Sequence, residues 1–122
     1  MIDHVSLAVT DLDRATAFYA MLLAPLGQRL LVRREGNCGF GKDYPEFWLN
    51  LRADANPGDG AHVALRARDC DAVDAFHAAA LAHGGACGGP PGERSVTNGK
   101  CYAAFILDPF GNRVEAVTFP RD

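Results

Sequence analysis

The chain has 122 residues, of which 48% are hydrophobic and 22% are charged, and its formal net charge is −3. This length fits one domain or two half-length modules, and the apolar content argues against disorder. Nucleic acid and membranes are not expected as partners, because there is no basic block and no apolar run approaches the ~18 residues of a membrane helix.

The chain has four cysteines, and none of them forms a C-x-x-C pair. A chain this rich in apolar residues does not need disulfides to fold, so we expect free thiols in a reducing cytoplasm. The sequence also opens directly on a predicted strand, and we therefore expect no signal peptide.

The first half of the chain predicts one strand, one helix and three more strands. Residues 2–9 alternate in hydrophobicity and are rich in β-forming residues. Asp11 is a typical helix N-cap, and Pro25 and Gly27 end the helix that follows it. Short β-rich segments follow at residues 28–34, 38–41 and 46–52.

A polar turn region divides the chain, so we predict a first module at residues 1–53, a linker at 54–60 and a second module at 61–122. The second module repeats the plan, with a helix capped by Asp69. Its remaining predicted segments are a strand at 61–67, at most a short strand within 84–92, a mobile loop at 93–100, and a hairpin of strands 100–107 and 112–119.

The two modules are copies of each other in sequence. At an offset of 58 residues, His4 falls on His62, and 11 of the 24 positions from 4 to 27 are identical. About two identities are expected by chance for this composition. With a longer offset of 65, the last strand of each module has a polar residue at the same place, Asn50 in the first and Glu115 in the second. An internal repeat of this kind predicts two equivalent structural units.

The repeat also predicts a site. The first and last strands of the modules supply His4, Asn50, His62 and Glu115 to one concave surface. Two imidazoles and one carboxylate on one face form a facial triad that leaves coordination positions open. Asn50 could add a weak oxygen ligand. The alternative is purely structural: the histidines are ordinary strand residues, and Glu115 pairs with an arginine such as Arg66 or Arg113.

The chain resembles the vicinal oxygen chelate superfamily, which includes glyoxalase I, bleomycin-resistance proteins, fosfomycin-resistance enzymes and type I extradiol dioxygenases. The resemblance covers essentially the whole chain. Its specific segments are residues 2–5 (Ile-Asp-His-Val), 17–19 (Ala-Phe-Tyr) and 107–115 (Leu-Asp-Pro-Phe-Gly-Asn-Arg-Val-Glu). It implies an α+β glyoxalase-like fold, in which paired βαβββ modules form an open, cup-like barrel. It also implies one divalent metal ion (Zn, Ni, Mn, Fe or Co), held by His4, His62 and Glu115.

The resemblance implies several chemistries, which agree with the residues to different degrees. Glyoxalase I-like enzymes usually have a second carboxylate at the Asn50 position, so here Glu115 would act alone as the base. Extradiol dioxygenases share the two histidines and the glutamate, but they usually have tyrosine where this chain has Phe105. Fosfomycin-resistance enzymes have a lysine- and serine-rich loop that residues 93–100 imitate poorly. Bleomycin-resistance proteins bind their drug without metal and usually lack the full ligand set.

From this comparison we expect a small metalloenzyme, a lyase or isomerase that acts on a small α-oxygenated carbonyl compound. An extradiol-type dioxygenase and a metal-free binding protein remain the alternatives. Asn50, Trp48 and Phe105 are expected to line the substrate pocket, with residues 93–100 as a lid. Exposed sheet edges favour pairing, so we also expect a homodimer.

Overall fold

A computed structural model of the chain describes residues 1–56, 62–96 and 99–120. In the first module the described elements are β1 (Val5–Val9), α1 (Leu12–Leu23), a 3-10 helix (Ala24–Leu26), β2 (Arg29–Arg33), β3 (Asn37–Gly41) and β4 (Phe47–Leu51). In the second module they are β5 (His62–Arg66), α2 (Cys70–Ala82), β6 (Ala86–Val96), β7 (Gly99–Leu107) and β8 (Arg113–Thr118).

The two helices begin at the residues that the sequence predicts. The side chain of Asp11 accepts a hydrogen bond from the Arg14 backbone amide at 3.0 Å, and that of Asp69 accepts one from the Ala72 amide at 2.8 Å. Each carboxylate satisfies an amide that has no partner inside the helix. Gly27 follows the 3-10 helix with a φ of 79°, a left-handed conformation that glycine adopts without strain.

The strands form two four-stranded sheets, one in each module. The order is β1-β4-β3-β2 in the first sheet and β5-β8-β7-β6 in the second. In each sheet the first and last strands of the module run parallel, and the other neighbours are antiparallel. The predicted α+β architecture of paired βαβββ modules is confirmed, and the sheets do not close into a complete barrel.

The core lies between the sheets and the helices. Alternate strand residues point toward the helices and are buried, as Leu49 in β4 and Val114 in β8 illustrate. α1 and α2 also contact each other, and their aromatic residues Phe18 and Phe76 belong to this core. The other face of each sheet is turned away from the helices, and we call it the open face.

The sequence-based prediction for residues 84–100 is wrong. The segment predicted to hold at most a short strand and a mobile loop instead contains the 11-residue strand β6. β6 is at the edge of its sheet, where proline can be tolerated because an outward N–H needs no partner in the ladder. Its pairing with β7 shifts register on both sides of Gly89, so the glycines and prolines fall at bulges. Residues 97–98 of the predicted lid lie outside the described residues.

The structure also bears on the predictions about the cysteines, membrane helices and the module boundary. All four cysteines are free thiols, as expected. Within the described residues, neither helix has the length and apolar content needed to cross a membrane. The predicted boundary between modules falls between β4 and β5, and residues 57–60 of the predicted linker lie outside the described residues.

Candidate functional site

His62 and Glu115 form a close pair on the open face of the second sheet. They lie on the parallel neighbours β5 and β8, where Ala64 is the register partner of Glu115. The His62 Nε2 and Glu115 Oε1 atoms are 2.7 Å apart, and the side chains are 40% and 12% exposed, respectively. The partner of this shielded carboxylate is therefore an imidazole, not Arg66 or Arg113.

His4 lies just before β1 and is exposed. Its Nδ1 is 2.7 Å from Asp3 Oδ1, and the Tyr44 hydroxyl donates to the same oxygen at 3.0 Å. The hydrogen bond with His4, followed by that from Tyr44, lowers the pKa of Asp3 below its ordinary value. The imidazole of His4 is thus oriented by a neighbouring carboxylate, as metal-binding histidines often are.

A cavity of about 460 Å³ is lined by residues of the edge strands β1 and β5 and of the segments next to them. Its walls include His4 before β1 and His62 at the start of β5, so the two histidines that the repeat relates face one space. Glu115 lies on β8, the neighbour of the edge strand β5, and its carboxylate contacts His62. Among the described residues no three His, Cys, Asp or Glu side chains are grouped closely enough to hold a metal. The set of three metal ligands therefore remains a prediction. The structure brings two of the three residues, His62 and Glu115, into contact.

Glu46 is a residue that the sequence analysis missed. It lies just before β4 and lines the same cavity as the two histidines. It is exposed, and no repeat match or motif distinguishes it in the sequence. Only the parallel pairing of β1 with β4 reveals its position, because the Val5 amide donates to the Glu46 carbonyl at 2.9 Å.

The strand register corrects the predicted equivalence of Asn50 and Glu115. Trp48 is opposite Ser6 in the first sheet, and Glu115 is opposite Ala64 in the second. Ser6 and Ala64 are 58 residues apart (64 − 6), which is the offset of the repeat. Trp48 is therefore the residue equivalent to Glu115. Trp48 and Glu115 are 67 residues apart (115 − 48), so the offset of 65 is two residues short, and a slip of two keeps the same sheet face.

The three predicted pocket residues lie at different distances from the His62–Glu115 pair. Phe105 in β7 is the register partner of Glu115, and its ring centroid is 5.7 Å from that of His62. Trp48 and Asn50 lie on the first sheet, where the Arg34 guanidinium is 5.4 Å from the centroid of the Trp48 ring. Phe105 thus adjoins the pair directly. The substrate-binding role of all three residues remains a prediction.

A buried polar network holds the second module against the first. The Tyr19 hydroxyl in α1 donates to Asp108 Oδ2 at 2.6 Å, although the two residues are 89 positions apart. The other Asp108 oxygen accepts from the backbone amides of Phe110 and Asn112. The Asn112 side chain donates both to Asp108 and to the Ala8 carbonyl in β1.

This network explains the segment at 107–115 that supports the family resemblance. Its aspartate and asparagine do not lie at the cavity; they hold the β7–β8 turn against α1 and β1. Burial raises the pKa of Tyr19 well above its ordinary value, and the nearby Asp108 carboxylate raises it further. The network therefore ties the start of β8, where Arg113 is the register partner of His62, to Ala8 in β1 and Tyr19 in α1.

Comparisons with known proteins agree with this architecture. A model of the Glyoxalase/Bleomycin resistance protein/Dioxygenase superfamily matches residues 1–116. No curated protein sequence matches the chain.

Solved structures give the same result. A glyoxalase/bleomycin resistance protein from Albidiferax ferrireducens T118 is 34% identical, with a TM-score of 0.85, and the match covers 94% of this chain and 96% of that one. A family enzyme from Burkholderia phytofirmans PsJN is 18% identical, with a TM-score of 0.72 and coverage of 95% and 96%. The lactoylglutathione lyase from Agrobacterium tumefaciens is 22% identical, with a TM-score of 0.65 and coverage of 96% and 92%. The last two show the fold alone. The chain belongs to the glyoxalase/bleomycin resistance protein/dioxygenase superfamily.

Proposed function

We propose that the protein is a divalent-metal-dependent lyase or isomerase that acts on a small α-oxygenated carbonyl compound. The observation that carries the proposal is the 2.7 Å contact between His62 and Glu115 beside a cavity that His4 also lines. An imidazole and a shielded carboxylate at a cavity that also has a second imidazole provide the donor types of a facial triad.

Two imidazoles and one carboxylate are donor types that divalent cations accept. His62 and Glu115, which are already in contact, would supply two of these donors, and His4 would supply the third. His4, His62 and Glu115 would hold the cation, and the chemistry it would supply there is Lewis-acid polarisation of a carbonyl oxygen.

The proton transfer falls to Glu115. It is the carboxylate that contacts His62, and its 12% exposure keeps water away from most of the side chain. A glutamate in such a site can remove a proton from the carbon next to a carbonyl and return it to the neighbouring carbon. Asn50 is an amide and cannot act as a base. Phe105 contributes an apolar wall that helps to exclude water from the acidic carbon.

The residue opposite Glu115 argues against the dioxygenase alternative. Phe105 is opposite Glu115, where extradiol enzymes of this superfamily usually have a tyrosine, and its ring offers no proton or hydrogen bond. A lyase or isomerase does not need a hydroxyl group at that position, because the carboxylate alone can move the proton.

The test is elemental analysis of protein purified without chelator or added metal. We expect about one divalent ion per chain in the wild type, and its loss in His4→Ala and His62→Ala. His83→Ala is the matched control, because His83 is an exposed histidine at the end of α2, where its Nδ1 is 2.8 Å from the Ala79 carbonyl oxygen. Unchanged metal content in His62→Ala would contradict the ligand assignment. A wild type that stays free of metal and is not stabilised by any divalent ion would favour the binding-protein alternative.

A further inference from the structure

Phe105 lies at the centre of a cationic cluster on the open face of the second sheet. The guanidinium carbon of Arg94 is 5.2 Å from the Phe105 ring centroid, and that of Arg113 is 4.8 Å from it. The His62 ring is 5.7 Å from the same centroid. Two arginines thus share one aromatic ring within a side chain's length of the His62–Glu115 pair, in the range of cation–π contacts.

Arg94 is held rigidly by backbone carbonyl groups. Its Nη1 donates to the carbonyls of Gly92 at 3.0 Å and Ala103 at 2.9 Å, and its Nη2 donates to that of Pro90 at 2.8 Å. These bonds use three of the five guanidinium N–H groups. In the part of the chain that the structure describes, no carboxylate pairs with Arg94. The side chain therefore presents an uncompensated charge and spare donors in a fixed orientation.

The glycines of β6 make room for this arrangement. A Cβ atom at Gly89 would lie 3.0 Å from Phe105 Cδ2 and 3.1 Å from Arg94 Nη2, which is closer than side chains normally approach. The bulges around Gly89 bring the strand over the Phe105 ring, and the absence of a side chain there lets the guanidinium lie against it. The glycine at position 89 therefore leaves the space that the Arg94 guanidinium occupies beside the Phe105 ring.

Arg113 provides the second cation without a counter-charge of its own. It is exposed at the start of β8, and its register partner in β5 is His62. Among the described residues no carboxylate lies within ion-pair distance of its guanidinium, since Glu115 is turned toward His62. The guanidinium groups of Arg94 and Arg113 and the carboxylate of Glu115 together carry one net positive charge. A bound anion would neutralise that charge.

We propose that Arg94, Arg113 and Phe105 form an anion-binding subsite that holds the carboxylate of the substrate beside the His62–Glu115 pair. The substrate class is thereby narrowed to small α-hydroxy or α-oxo carboxylates. Guanidinium groups match carboxylates in geometry and form charge-assisted hydrogen bonds with them, and a preorganised guanidinium loses little entropy on binding. This inference deepens the proposed function and rests on it for the position of the reacting carbon.

The test measures ligand binding without metal, so that it does not depend on the metal centre. Mandelate and its uncharged amide, mandelamide, are titrated calorimetrically into the protein in the presence of EDTA. We expect mandelate to bind at least about tenfold more tightly than mandelamide, a difference of about 1.4 kcal/mol. Arg113→Gln and Arg94→Gln are each expected to weaken mandelate binding about tenfold and to leave mandelamide binding unchanged.

Three further variants make the result specific. Arg113→Lys is expected to recover only part of the affinity, because lysine lacks the planar fork of arginine. Gly89→Ala is expected to weaken mandelate binding through displacement of Arg94, with an unchanged circular dichroism spectrum. Arg29→Gln removes an exposed arginine from β2, in the first sheet, and is expected to change neither affinity.

The outcomes separate this subsite from the metal centre. Equal affinities of mandelate and mandelamide, or mandelate binding that is insensitive to both glutamine variants, would overturn the subsite. If mandelate binds only after Zn²⁺ is added and ignores the arginine variants, the subsite is overturned while the metal centre stands. If arginine-dependent binding occurs in a protein that takes up no metal, the proposed metal function fails and the subsite stands.

Discussion

Replacing Tyr19 by phenylalanine tests whether the buried network holds the two modules together. The change removes one hydroxyl, which donates to Asp108 at 2.6 Å, and the two residues are 0% and 4% exposed. Asp108 keeps the amides of Phe110 and Asn112 and the side-chain amide of Asn112 as donors. A hydrogen bond to a charged group contributes about 1.5–3 kcal/mol, so we expect a loss of about 2 kcal/mol in the free energy of unfolding.

Urea unfolding followed by circular dichroism measures this loss. With a slope of about 2 kcal/mol per M, the unfolding midpoint of Tyr19→Phe falls by about 1 M. Tyr44→Phe is the matched control, because its hydroxyl also donates to an aspartate, Asp3, but on the surface, where Tyr44 is 53% exposed. Equal midpoints for the two variants would refute the idea that the Tyr19–Asp108 contact stabilises the fold.

The pH dependence of stability provides a second readout of the same contact. The folded protein raises the pKa of Tyr19 well above 10.0 and so favours the neutral phenol. The resulting stabilisation is complete below pH 10 and is lost as the pH rises through the higher folded pKa. The wild type is therefore expected to lose stability above pH 10 more steeply than Tyr19→Phe. Parallel alkaline curves would show that the hydroxyl is not buried against the carboxylate.

Two other predictions concern the surface of the molecule. The hydrogen bond from the Tyr102 hydroxyl to Asp74 raises the pKa of Tyr102 to about 12, so Tyr102→Phe should remove the absorbance step near that pH, and Asp74→Asn should move the step toward 10.0. A step that neither variant affects would contradict the assignment. The sheet edges at β1, β2, β5 and β6 leave backbone groups available for pairing, so sedimentation equilibrium should give a dimer of twice 13.0 kDa, and a monomer would contradict the predicted homodimer.

The elements that the sequence predicts well are those determined by local chemistry. Asp11 and Asp69 cap their helices because an aspartate side chain reaches the free amides from that position. Alternating hydrophobicity in the first strand, and β-rich segments bounded by turn residues elsewhere, likewise identify seven of the eight described strands to within a few residues. These signals depend on neighbours in the sequence, and a single chain is sufficient to read them.

The elements that the sequence does not predict depend on distant partners. β6 contains Pro90 and Pro91, which normally break strands, and its position at the sheet edge together with its register shifts around Gly89 makes them acceptable. The equivalence of Trp48 with Glu115 requires the register of two sheets, which an offset along the chain does not supply. The contact between His62 and Glu115 could be predicted in part. The repeat and the polar pattern place both residues on one sheet face, but they do not give the distance between them.

The network around Asp108 has a consequence for how two chains could assemble. Tyr19 and Ala8 belong to the first module, and their partners Asp108 and Asn112 belong to the second. Two chains that exchanged modules would break these bonds and form the same bonds between chains, so the exchange would neither gain nor lose network energy. The balance between closed monomers and exchanged dimers would then follow from protein concentration and from the entropy of the segment joining β4 to β5. Dilution should therefore return each pair of modules to a single chain.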